Sequence, residues 1–215
     1  MPELCGSQNG SRSAVSRSDV ARVVGLIESL SDFAVGPEPL PRKHMGGVIA
    51  DAALQAGLRW ETVVAPRVQR VCSLWPTAHT VSTFLGKAHR WGLADVLAWN
   101  HPDKLHRAMS LAGMLAANSI ETHRDLWQWL QDSTSAIELC SIPGIGPKTV
   151  DYLGVLVAAP TIAIDRHVRV FLSWAGVEAP SYHAAHVILM AACKELDFHP
   201  AAFDAAVWKL VVGSR

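Results

Sequence analysis

The chain has 215 residues, half of them hydrophobic and 18% charged, and its formal net charge at pH 7 is zero. This is a globular composition with enough apolar residues for a sizeable core, and it excludes intrinsic disorder. No apolar run approaches the roughly 20 residues that span a bilayer, and MPELCGSQNGSRSAVSRS at the start lacks a secretory apolar stretch, so a cytosolic protein is expected (nucleoid-associated if bacterial).

The elements read as helical almost throughout. Residues 1–17 form a short tail, expected to be flexible. VARVVGLIESL (20–30) places apolar residues on a 3.6-residue stripe. GPEPLPRKHMGG (36–47), with three prolines and three glycines, is the one long stretch near the start expected to be non-helical. Helical patterning resumes over 46–57, 60–75, 79–92, 94–100, 103–119, 121–132, 134–142, 147–158, 164–176, 181–196 and 200–213. No strand alternation appears, so an all-α protein is expected.

Charge and cysteine content carry little. Residues 1–110 hold twelve Lys and Arg against nine Asp and Glu, and 111–215 hold seven against ten. Such excesses neither establish nor exclude a local basic face for nucleic acid. The four cysteines, Cys5, Cys72, Cys140 and Cys193, are scattered, which argues for reduced thiols and against a metal or cluster site. The eight tryptophans, spread over 60–208, read mostly as packing residues.

The chemistry concentrates in IELCSIPGIGPKTVDYLGVLVAAPTIAIDRHVRVFLSWAG (137–176). An apolar helix ends near Ile142, and Pro143-Gly144-Ile145-Gly146 turns the chain into a second helix opened by Pro147. Two glycines at spacing two permit a tight turn, and proline suits the first helical position. Ile145 plugs the gap between the helices. The outward amides of such a turn are suited to an anion such as a DNA phosphate. By itself the turn is equally an ordinary helical hairpin.

Lys148 is the second residue of that second helix. A helix N-terminus is electropositive, which favours the uncharged amine that imine-forming nucleophiles need. A plain surface lysine is the alternative. Seventeen residues on, Asp165 follows the apolar PTIAI and opens another helix, as a cap or first-turn residue. Burial of PTIAI would leave its carboxylate in partly desolvated surroundings.

These residues resemble the helix-hairpin-helix, Gly/Pro-rich, aspartate superfamily of DNA glycosylases, nearest to its endonuclease III branch. SIPGIGPKTVDYL and PTIAIDRHVRVF are similar to the family pattern LPGVGxKT…PTIAVDTHxxRV. The dense match covers about forty residues, with weaker likeness over 20–215. The resemblance implies an all-α fold of two helical bundles with the active-site cleft between them. One bundle would take 37–157 with the hairpin, the other 18–36 and 158–215.

It further implies that Lys148 attacks the deoxyribose C1′, that Asp165 is the motif aspartate, and that Gly144, Ile145 and Gly146 contact phosphate. Gln55, in VIADAALQAG (48–57), is similar to a glutamine that enters the duplex near the lesion. The substrate would be double-stranded DNA carrying a damaged base, such as an oxidised pyrimidine, or an abasic site, bound by a monomer. VWKLVVGSR (207–215) is similar to the helix after which many relatives carry a four-cysteine iron–sulfur cluster. With no clustered cysteines here, no cofactor and no metal are expected. Arg67, Arg70, Lys87, Arg90, Lys104 and Arg107 are candidate phosphate contacts, against the alternative of solvated helix faces. Two other readings stay open: a glycosylase without lyase activity, and a non-catalytic DNA-binding module, which would not need Asp165 at this spacing.

Overall fold

The computed structural model describes residues 17–178 and 180–214, so all but Arg17 of the tail expected over 1–17 lies outside the described residues. Among the described residues the chain is all-helical, with twelve α-helices, one short π-helical turn and no strand. None of these helices is long and apolar enough to cross a membrane. The chain divides into two compact units, Leu40–Ala159 and the described parts of Met1–Pro39 with Pro160–Arg215.

The Leu40–Ala159 unit holds α2 (Met45–Leu54), the π-turn Trp60–Val64, α3 (Ala65–Leu74), α4 (Val81–Trp91), α5 (Leu93–Leu97), α6 (Pro102–Ala117), α7 (His123–Trp129), α8 (Ser133–Cys140) and α9 (Pro147–Leu156). Every residue of α2 is buried, and the helix packs against α3, α4, α6 and α9. Its sequence, MGGVIADAAL, is apolar on every face but for Asp51, as suits a central helix. A Cβ on Gly46 would lie 3.0 Å from the Phe84 ring, and one on Gly47 would lie 2.9 Å from the Cys72 sulfur, so the two glycines let α3 and α4 approach. Burying side chains such as Ile49, Leu54 and Phe84 contributes about 2 kcal/mol each.

The non-helical stretch expected to run to Gly47 ends at His44. The His44 Nδ1 accepts the Gly47 N–H at 2.9 Å while its Nε2 meets the Trp75 carbonyl at 2.9 Å. This side-chain cap starts α2 at Met45, ahead of the glycines. The helix expected over 60–75 also differs, because its first turn is a π-turn. Here α3 begins at Ala65-Pro66, with the proline in the first turn, where it requires no helical N–H partner.

The other unit holds α1 (Arg17–Ser29), α10 (Arg166–Trp174), α11 (Tyr182–Glu195) and α12 (Pro200–Gly213). Helix α1 packs on α11 and α10 on α12. Val168, Phe171 and Leu172 form the inward stripe of α10 at helical spacing. Phe171 meets Phe203 edge to face at 5.7 Å between centroids and stacks on Phe33 at 6.0 Å.

Candidate functional site

The turn between α8 and α9 is built from its own sequence. Helix α8 starts on the Asp132 side chain, which accepts the Thr134 N–H at 2.9 Å. Beyond Cys140 the chain tightens through Ser141 N–H to the Glu138 carbonyl and Ile142 N–H to the Leu139 carbonyl, at 3.0 and 3.1 Å. Gly144 has φ +83°, a left-handed conformation costly for a residue with a Cβ. Ile142 and Ile145 are both buried in the core of this unit. The Ile145 N–H is taken by the Ile142 carbonyl at 3.0 Å.

Gly146, in extended conformation, is the N-cap of α9 and supplies no side-chain acceptor, and Pro147 follows at the first helical position. The N–H groups of Gly146 and Lys148 therefore have no partner within the helix. Thr149 N–H returns to the Gly146 carbonyl at 2.8 Å, closing the first turn.

Arg107, on α6, crosses this turn. Its Nε donates to the Pro143 carbonyl at 3.1 Å and its Nη1 to the Ala53 carbonyl at 3.4 Å. The guanidinium lies where a Cβ on Gly144 would stand, so any other residue would have to push the Arg107 side chain aside as well as adopt a left-handed backbone. One arginine thus ties the turn to the C-terminal end of α2.

That end of α2 collects two more cations, as a helix C-terminus favours. Lys104, 8% exposed, donates from Nζ to the Leu54 and Ala56 carbonyls at 3.0 and 2.5 Å. Burial first, then the like charges of Arg107 and Lys148, pull its pKa down to about 8. Lys148 is half-buried and donates from Nζ to the Gln55 side-chain oxygen at 3.0 Å. The structure therefore brings Lys148, Gln55 and the Gly144–Gly146 turn together.

Four of the six basic residues donate to main-chain carbonyls, and of these only Arg70 is exposed as the alternative of a solvated helix face would have it. Lys104 and Arg107 hold the end of α2. Arg67 donates to the Val63 carbonyl at 2.7 Å and lies over the Trp99 ring at 4.1 Å. Arg70 donates to the Val96 carbonyl at 3.0 Å. Their acceptors are main-chain carbonyls at the ends of packed elements, which attract long cationic side chains whatever face the periodicity gives them. Lys87 remains half-buried, and Arg90 is exposed and lies over Trp91 at 4.7 Å.

One helical turn deeper, α2 and α9 meet again. Asp51 precedes Gln55 by four residues and Tyr152 follows Lys148 by four, so each pair shares a helix face. The Tyr152 hydroxyl donates to Asp51 Oδ1 at 3.0 Å. Arg42 Nη1 reaches Asp51 Oδ2 at 2.5 Å, and the Trp60 indole N–H donates at 3.3 Å. Asp51 is fully buried, and burial pushes its carboxyl above the ordinary range while Arg42 and the three donors pull it down. Sequence reasoning passed over these four residues. The available signal was a lone carboxylate inside an otherwise apolar helix, which must find partners.

Asp165 belongs to the other unit and is the N-cap of α10. Its Oδ1 accepts the His167 and Val168 N–H groups at 2.8 and 3.0 Å. Its Oδ2 lies 3.0 Å from His167 Nδ1. Ile162, Ala163 and Ile164, just before it, are buried, whereas the Asp165 side chain keeps 24% of its surface exposed. A carboxylate so held stays partly open to a ligand.

Comparison with models of known protein families, with curated proteins and with solved structures gave no match. The functional reading accordingly rests on the residues themselves.

Proposed function

We propose that the chain is a helix-hairpin-helix DNA glycosylase with associated lyase activity, excising a damaged base through an imine on Lys148. The observation that carries the reading is the setting of Lys148. It stands on the first turn of α9 directly after the Gly144–Gly146 turn, with its nitrogen 3.0 Å from Gln55. Amine, hairpin amides and glutamine thus share one edge of one unit. The Gly146 and Lys148 amides suit a phosphate. The Ile145 amide does not, being internally bonded, so Ile145 contributes by filling the core.

In this reading the target nucleotide is rotated out of the duplex, at a cost of a few kcal/mol, and Gln55 fills the gap. The uncharged Lys148 amine forms a bond to C1′ as the bond to the base breaks, the base leaving with the electron pair and then a proton. Asp165 offsets the positive charge that develops on the sugar. The ring opens to an imine, loss of a proton from C2′ expels the 3′ phosphate, and water releases the product from Lys148. An oxidised pyrimidine is the proposed base.

Borohydride reduction tests this. Wild-type protein should be trapped covalently on duplex DNA carrying an abasic site or the right lesion. Lys148→Ala should lose trapping yet keep much of its DNA binding, because the hairpin amides remain. Trapping retained by Lys148→Ala would sink the assignment of the nucleophile. Base release without trapping in the wild type would favour a glycosylase that lacks lyase activity.

A further inference from the structure

The Asp165–His167 pair contains more than a helix cap requires. A cap needs one acceptor oxygen, and Asp165 Oδ1 already takes both the His167 and Val168 amides. The second oxygen, Oδ2, is held separately by the His167 ring at 3.0 Å. That ring is not a loose surface group. Its side chain is 8% exposed, it sits on a helix whose other buried members are Val168, Phe171 and Leu172, and it meets Trp208 of α12 edge-on at 6.4 Å. A buried imidazole costs desolvation that an apolar residue at the same place would avoid, unless its nitrogens are used.

From this geometry we infer that His167 is a positioning residue for Asp165, held as the Nδ1–H tautomer and fixing the orientation of the partly open carboxylate. The inference rests on the proposed role of Asp165 in stabilising charge on the sugar. With only Oδ1 tethered, the carboxylate plane can still rock about the Cβ–Cγ bond within the play of those two hydrogen bonds. With Oδ2 also tethered, to a ring that Trp208 keeps in place, it cannot. A carboxylate fixed before the reaction needs no reorganisation when charge develops, which is where electrostatic catalysis gains most. His167 itself touches neither base nor sugar in this scheme.

Two substitutions separate this role from packing. His167→Phe keeps a ring against Trp208 and removes the donor. His167→Asn removes the ring and keeps an N–H near the Nδ1 position. For wild type and both variants, base release from the lesion duplex is measured at saturating and limiting DNA, with helicity checked by circular dichroism. The positioning role is expected to lower kcat more than tenfold in His167→Phe with KM within threefold, and His167→Asn should retain activity within about threefold. The reverse order, an active Phe variant and an inactive Asn variant, would make the residue a packing group and overturn the inference.

The tautomer can be read without any activity, by the nitrogen-15 shifts of His167 above the ordinary histidine titration range. Wild type should carry its proton on Nδ1. In Asp165→Asn the two backbone amides claim the side-chain oxygen, which turns the –NH2 group toward the ring and moves the proton to Nε2. An Nε2–H tautomer in the wild type overturns the proposal. If the wild type releases base and Asp165→Asn does so equally well, there is nothing to position and the proposal also fails. A wild type with no activity on any lesion overturns the functional reading itself, and the role of His167 falls with it even where the Nδ1–H tautomer is found.

Discussion

The Lys148 ammonium, on the first turn of α9, donates to the side-chain oxygen of Gln55 at the end of α2, 3.0 Å away and 93 residues back in the chain. The bond makes Gln55 the side chain that sets where the Lys148 nitrogen stands. Replacing Gln55 by Ala removes one half-buried hydrogen bond, worth about 1 kcal/mol, and should lower the thermal midpoint by about 3 °C. Gln55→Glu puts a carboxylate beside the ammonium and favours its charged form. Borohydride trapping should therefore be slower in Gln55→Glu than in Gln55→Ala. A Glu variant that is trapped as fast as wild type would separate Gln55 from the nucleophile.

The turn before α9 makes a second, purely structural test. Gly144→Ala forces a Cβ both into a left-handed backbone at φ +83° and into the space of the Arg107 guanidinium. The backbone alone costs about 1–2 kcal/mol, and displacing the arginine adds its lost bonds to Pro143 and Ala53. In urea denaturation, Gly144→Ala should cost about 3 kcal/mol. Arg107→Ala should relieve part of that, so the double variant should be at least about 1 kcal/mol more stable than the two single losses add up to. Strict additivity would mean that the arginine does not cross the glycine.

How far these relationships could be read beforehand depends on their range along the chain. All twelve α-helices overlie stretches that apolar periodicity marks, five of them beginning one to three residues earlier, because periodicity is local and each helix buries a stripe. Pro147 at the start of α9 and Asp165 as a cap follow from short-range rules in the same way. The π-turn at Trp60 has no such signature, and in the sequence it runs on into the pattern of α3. The polar partnerships were illegible for another reason. Asp51 meets Tyr152 from 101 residues away, and Lys104 reaches Leu54 across 50. A helical wheel tells which face is apolar, but not which distant carbonyl a long cation will find. Hence Lys104 and Arg107 read as candidate phosphate contacts or solvated helix faces, and the partners of Asp51 are not readable at all.

The Arg42–Asp51 pair gives a pH-dependent stability. Burial holds the Asp51 carboxyl above its ordinary value, and Arg42 is the largest influence acting against burial. A carboxyl raised on folding contributes stability in full below its unfolded value and loses it as pH rises through the folded one. Arg42→Met removes the counter-charge and raises Asp51 further, leaving Tyr152 and Trp60 as its donors. The variant should lose about 3 kcal/mol near neutral pH, the cost of stranding a buried charge. The loss should shrink as pH falls and the buried Asp51 gains its proton in the folded form of both wild type and variant. A loss that is constant between pH 4 and 7 would show that the pair matters for packing and not for charge.

Lys104 gives the opposite slope, and it tests the platform on which Lys148 rests. Its ammonium is buried against the Leu54 and Ala56 carbonyls, with a pKa of about 8 in place of 10.5. Below about pH 8 the lysine is charged both folded and unfolded, so the full cost of burying the charge is present. Between about pH 8 and 10.5 the folded chain has released the proton and the unfolded chain still holds it. The unfolded state then binds more protons, and stability rises with pH. Lys104→Met keeps the apolar stem and abolishes the titration. Near neutral pH the variant should be less stable than wild type by about 2 kcal/mol, since two buried carbonyls lose their donor. The gap should then widen by as much as about 3 kcal/mol as pH climbs from 8 to 10.5, the neutral amine still donating to both carbonyls. Urea midpoints of both proteins at half-unit pH steps read this directly. A gap that stays flat over that range would mean that the Lys104 amine keeps its proton against the two carbonyls and that burial does not depress it.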